Sequence, residues 1–279
     1  WDSQIIWFWG DNFLDKADPY PANYLGERFP FLERVELQIA TGGEIAGYPG
    51  CSDKTRDLFV DPCHPEKGYD FSPLVRACRN IVRLGLDPLI KVGSVPVFFT
   101  SEPAISKPFY INVRPPDDYD LYFDYVKSMA GAMEEAFGLD EIRSWQWGFI
   151  AEYNNSNMFI TADSIPENTK NELCKLYDYT VAALESVMGS GEVKMQIHPC
   201  PKCGPAKIFP SEALIEHCAT GTNYYTGKAG TPVYSVVSSY YSRWNTTPDD
   251  FGEANERLQR AAESLGLKDL KYGIGEEGT

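Results

Sequence analysis

Seven short apolar runs, set apart by helix-type periodicity or polar loops, place the strongest limit on what this chain can fold into. They cover residues 4–10, 35–41, 88–93, 145–150, 193–197, 233–239 and 270–274. Between the second and third runs, Leu74, Cys78, Ile81 and Val82 form one stripe that starts at Ser72-Pro73 and stops at Gly85. Tyr119, Tyr122, Val126, Met129, Met133 and Phe137 recur at three- and four-residue steps and stop at Gly138, which predicts a second helix. Further helices are expected over residues 166–188, 211–218 and 251–265. Strands alternating with helices in this way build parallel βαβ units. No run is followed by the Gly-rich turn or P-loop that marks nucleotide-binding open sheets. The expected fold is therefore α/β, a TIM (β/α)8-type barrel lacking its last βα unit, with residues 1–279 in a single domain. A barrel short of one stave leaves open edges, so the chain is expected to be a segment of a longer one that continues past Thr279.

Barrel enzymes keep their chemistry at the C-terminal ends of the strands. The fourth run leads into Ala151-Glu152-Tyr153-Asn154-Asn155 and the seventh into Gly275-Glu276-Glu277-Gly278. Glu152 and Glu276 would then face one mouth from opposite sides of the barrel. Two facing carboxyl groups are what glycoside hydrolysis needs: one, protonated, donates to the leaving oxygen, and the other attacks the anomeric carbon or activates water. A separation of about 5–5.5 Å would mean retention of configuration, and about 6.5–9.5 Å inversion. The aromatic content, 14% with 17 Tyr and 6 Trp, suits a carbohydrate site, because the apolar face of a sugar stacks on a ring. A formal charge of −15 repels phosphate backbones and anionic lipid, so neither nucleic acid nor a membrane surface is an expected partner. No apolar run approaches the roughly 20 residues that span a bilayer.

Residues 147–154, Trp-Gly-Phe-Ile-Ala-Glu-Tyr-Asn, resemble the W-x-x-x-N-E-P-N segment of the clan A glycoside hydrolases. Residues 274–278 resemble the clan's I-G-E-F-G segment, and Ser238-Ser239-Tyr240-Tyr241 its H-x-Y region. Within the clan, family 39, with its xylosidase- and iduronidase-like enzymes, is similar in layout. The resemblance implies a retaining mechanism without cofactor or metal, with Glu152 as acid/base and Glu276, rather than Glu277, as nucleophile. It also implies a carbohydrate pocket shaped by Trp147, Asn154, Tyr240 or Tyr241, and Glu277. Two positions of the first segment depart from the pattern. The Asn that precedes the acid and holds the sugar 2-hydroxyl is Ala151 here, and the Pro that follows it is Tyr153. A different sugar, recruitment of Asn154 or Asn155, or an inactive pocket would each account for this. A carbohydrate-binding barrel without catalysis is thus the alternative reading.

Other residues suggest different chemistry. Cys200-Pro201-Lys202-Cys203 follows His198, but a zinc knuckle needs four ligands, and His217 or Cys218 would have to complete it. The three His (64, 198, 217) form no H-x-H or H-E-x-x-H pattern. Lys91 and Lys194 lie in strand runs, where a buried amine could form a Schiff base, which makes a lyase the third reading. Arg114 could clamp an acidic substrate group, but it is expected to anchor a loop. Seven Cys at irregular spacing argue against a full disulfide framework and for reduced thiols. Asn154-Asn155-Ser156 and Asn245-Thr246-Thr247 match the glycosylation triplet. The chain opens at Trp1 without an initiator Met or signal peptide, so compartment stays open. The long loops at 44–69 and 94–117 are expected to select the sugar.

Overall fold

The structure, a computed structural model, describes residues 3–8, 21–39, 57–106, 111–241 and 247–278, with the backbone alone at 3–8, 277 and 278. Seven strands lie in one sheet in chain order: β1 (Ser3–Phe8), β2 (Leu32–Gln38), β3 (Asp87–Lys91), β4 (Gln146–Ala151), β5 (Met195–His198), β6 (Ser235–Tyr241) and β7 (Lys271–Gly278). Every neighbouring pair is parallel. The connections carry α1 (Tyr24–Arg28), α2 (Ser72–Arg83), α3 (Tyr119–Phe137), α4 (Leu139–Ser144), α5 (Pro166–Met188), α6 (Ala213–Thr220) and α7 (Pro248–Ser264). The expected parallel α/β sheet is therefore present, with boundaries shifted by a few residues. Two short helices, α1 and α4, are not long enough to show a period in the sequence. The seventh strand runs four residues further than expected, through the carboxylates instead of stopping before them.

Helix ends follow local chemistry. Asp118 caps α3, its carboxylate accepting from the backbone N–H of Asp120 at 2.9 Å and Leu121 at 3.2 Å. Thr247 and Asp250 form a reciprocal capping box on α7. Gly138 ends α3 with φ 86, a backbone region that costs glycine no Cβ clash.

The two faces of the sheet differ in character. Val35, Leu37, Ile90, Trp147, Phe149, Ile197 and Val236 belong to a core shared with Leu74, Ile81, Tyr122, Met129, Leu173, Tyr177 and Leu184 of the helices. The opposite face is polar: Glu36, Lys91, Gln196, His198 and Ser239 are all buried there. The sheet is curled, since Lys91 on β3 reaches His198 on β5 at 2.7 Å, past β4. Gly148 of β4 leaves the room for this, because a Cβ there would lie 2.5 Å from Lys91 Cγ. Among the described residues no helix is long and apolar enough to cross a membrane.

Candidate active site

Glu152 follows directly on β4, whose last residue, Ala151, pairs with His198 of β5. Its backbone is left-handed, φ 50, which is uncommon for a residue with a Cβ. Such a conformation costs of order 1–3 kcal/mol and persists only where surrounding contacts hold it. Here Asn155 Nδ2 donates to Glu152 Oε2 at 2.8 Å, and the Asn155 N–H donates to the Glu152 carbonyl at 2.7 Å. The Tyr153 N–H also donates to the His198 carbonyl at 3.2 Å. The carboxyl is thereby turned to the polar face and buried, 6% exposed.

The same turn decides between the two candidate amides. Asn154 is fully buried, and its Nδ2 donates to the Cys200 carbonyl and to Ser211 Oγ, both at 3.1 Å. Its Oδ1 accepts from the Cys200 N–H at 2.7 Å. Asn154 therefore clamps the β4 and β5 loops together, both its Nδ2 protons taken and its side chain closed off from the surface, which corrects its expected place in the pocket. Asn155 is the amide that meets the carboxylate. Burial of Asn154 also closes the glycosylation triplet that begins there, while Asn245 lies outside the described residues. Asn154→Ala orphans the Cys200 N–H and is expected to cost about 1–3 kcal/mol in urea unfolding, the range for a buried unpaired donor.

Glu276 reaches the polar face through a bulge. The pairing of β6 with β7 runs Ser238 to Ile274 and then Ser239 to Glu276, so Gly275 is an extra residue. A Cβ on Gly275 would lie 2.7 Å from both His198 Cε1 and Val237 Cγ2, so glycine is required there. Glu276 is the one buried side chain described on β7. Tyr241 Oη donates to its Oε2 at 2.7 Å, and among the described residues its Oε1 has no hydrogen-bond partner. Burial pushes the carboxyl up to about 7; Lys91 opposes this, Glu152 adds to it, Tyr241 opposes it and Glu36 adds to it. The carboxylates expected at the ends of the fourth and seventh strands thus lie within electrostatic reach of each other.

The remaining expected residues divide. Tyr241 contacts Glu276, whereas the ring of Tyr240 meets Phe251 of α7 edge-on at 5.2 Å. Trp147 does not line the site: its indole is fully buried and donates to the Ile142 carbonyl in α4 at 3.3 Å. Alternation explains this, because the next residue, Gly148, is the one facing Lys91. The side chain of Glu277 lies outside the described residues. Lys194 sits before β5 and donates outward to the Ser144 carbonyl at 3.1 Å, which removes it as a buried amine. Arg114 anchors a loop through the Ile160 carbonyl at 3.1 Å and the Thr161 carbonyl.

His198 faces away from the cysteine pair. Its Nδ1 is 2.7 Å from Lys91 Nζ and its Nε2 is 2.9 Å from Ser239 Oγ. An ammonium can only donate, so Nδ1 accepts and the ring proton sits on Nε2, pointing at Ser239. Burial, and then the Lys91 charge, hold His198 well below its ordinary range, so it is neutral. His217 is bound to Asp178 at 2.9 Å. Among the described residues no three His, Cys, Asp or Glu side chains converge as a metal site. Cys78, Cys174, Cys200, Cys203 and Cys218 are free thiols, as expected, but Cys63 is disulfide-bonded.

The group that residue-by-residue reading missed is the Glu36–Lys91 ion pair, 2.7 Å long with both side chains buried. Its signal was present in the alternation Val35-Glu36-Leu37-Gln38-Ile39, which sends Glu36 and Gln38 to the face opposite the apolar residues.

No protein-family model matches the chain. A curated relative, the β-xylosidase of Geobacillus stearothermophilus, is 29% identical over 190 residues, which are 65% of this chain and 35% of the relative. Among solved structures, a family 39 β-xylosidase from Caulobacter crescentus superposes with a TM-score of 0.59 at 14% identity, over 91% of this chain and 48% of that one. A family 39 enzyme from Xanthomonas axonopodis pv. citri does so with a TM-score of 0.58 at 12% identity, over 91% of this chain and 46% of that one. The chain therefore spans less than half the length of these relatives. It resembles the β-xylosidase in sequence and the two family 39 enzymes in fold.

Proposed function

We propose that the chain is a single catalytic domain, seven staves of a TIM (β/α)8-type barrel, of a retaining glycoside hydrolase that acts on a glycan or oligosaccharide. Glu152 is the general acid/base and Glu276 the nucleophile. The observation that carries this reading is that two buried carboxyls stand at the C-terminal ends of β4 and β7 within electrostatic reach of each other, with no cation bound directly to either among the described residues. One proton shared between them is the state the first step needs. Glu152 delivers it to the leaving oxygen while Glu276 attacks the anomeric carbon, and the ionised Glu152 then draws a proton from the water that releases the sugar. Tyr241 orients Glu276 and Asn155 orients Glu152. The relative named a β-xylosidase makes aryl β-xylosides the first substrates to try.

Ala151 supports a second reading, carbohydrate binding without turnover. It is fully buried and brings no amide to the site. A panel of aryl glycosides, with the anomer of the first-formed product followed by proton NMR, separates the two. The expected result is turnover with retained configuration. Inverted product would remove Glu276 as nucleophile, and binding without release of the aryl group would favour the second reading.

A further inference from the structure

On the polar face of the two carboxyls, polar side chains link four strands. Glu36 on β2 pairs with Lys91 on β3 at 2.7 Å. Lys91 also donates to His198 on β5 at 2.7 Å, and His198 donates to Ser239 on β6 at 2.9 Å. Ser239 is the register partner of Glu276 on β7, and the His198 ring packs where a Cβ on Gly275 would be. Lys91 is 1% exposed and is held in place by the space that Gly148 leaves on β4.

We propose that Lys91 is a positioning residue for this site, its ammonium locked by Glu36 and His198 so that its charge favours the ionised form of Glu276. The inference rests on the reading of Glu276 as the nucleophile, which must be anionic to attack. The groups facing Glu276 are Glu36 from β2, Lys91 from β3, Glu152 after β4, and Tyr241 from β6. Among the described residues Lys91 is the one cation in this group, against the two carboxyls of Glu36 and Glu152, and its effect on Glu276 is the largest after burial. His198 is neutral and adds no charge, but its Nδ1 fixes where the ammonium stands. On the same polar face Gln196 is fully buried, and among the described residues neither end of its amide has a hydrogen-bond partner.

The test follows the carboxyl itself, so it does not depend on turnover. Glutamate is labelled with 13C at the side-chain carboxyl, and the Glu276 resonance is assigned by its loss in Glu276→Gln. Its titration midpoint is then compared between the wild type and Lys91→Met/Glu36→Gln, which removes both members of the ion pair and leaves no unpaired charge. The midpoint, near 7 in the wild type, is expected to move upward by about one pH unit, as when a nearby opposite charge is withdrawn. An unmoved or lowered midpoint in the folded double variant overturns the proposal. The acid limb of turnover on an aryl glycoside, recorded alongside, should move with it. Absence of turnover in the wild type would count against the hydrolase reading while leaving the titration result to stand.

Discussion

Glu276→Gln is expected to abolish glycoside turnover, by about 10⁴-fold or more, and yet to make the folded chain more stable in mild alkali. The first effect follows from the loss of the attacking oxygen. The second follows from burial, which raises the carboxyl from 4.5 to about 7 on folding. Below pH 4.5 the group is protonated in both the folded and unfolded states and does not affect stability. Between 4.5 and about 7 the unfolded chain ionises it while the folded chain holds the proton, so the folded state loses ground as pH rises. Above about 7 both states are ionised and the whole penalty is present, roughly 3 kcal/mol at 1.36 kcal/mol per pH unit. A neutral amide escapes it, and the amide oxygen can still accept from Tyr241. Urea unfolding of wild type and variant at pH 4 and pH 8 checks this. The two should match at pH 4 and separate at pH 8 in favour of the variant. Equal stability at both values would mean that Glu276 is not buried in the ionised state.

Lys91→Met is the substitution expected to harm folding most. It leaves Glu36 buried without its partner, and breaking a buried ion pair from one side costs about 3–5 kcal/mol. Burial already holds Glu36 above its ordinary range, with Lys91 the main force opposing that shift. Without the ammonium, the carboxyl escapes part of the cost by keeping its proton. The loss should therefore be smaller near pH 5 than near pH 8. Adding Glu36→Gln should recover most of it, and a double-mutant cycle in urea measures the coupling. A Lys91→Met variant as stable as wild type at pH 8 would show that Glu36 is neutral in the native protein.

Much of this architecture was legible in the residues. Parallel strands buried on both faces read as apolar runs, and β4, buried along all six residues, was the clearest of them. The Met and aromatic stripe of α3 turned out to be core, as a three- and four-residue period implies. What the residues marked less clearly was the polar inner face. Glu36 and Lys91 interrupt apolar runs at single positions, and only the curl of the sheet brings them together.

The order of strands and helices, and the arrival of a carboxylate just after the fourth strand, were determined by the sequence alone, because hydrophobic period and turn residues are local properties. The tertiary structure decided which neighbours of those carboxylates join them. Asn155 and Tyr241 do, whereas Asn154 and Tyr240 face other partners. The physical reason is parity: side chains alternate along a strand, so one inserted residue exchanges the faces. The extra residue at Gly275, which His198 and Val237 leave no room to fill with a side chain, puts Glu276 opposite Ser239 and turns it inward. A bulge is set by the neighbouring strand, and no period within residues 271–278 contains it.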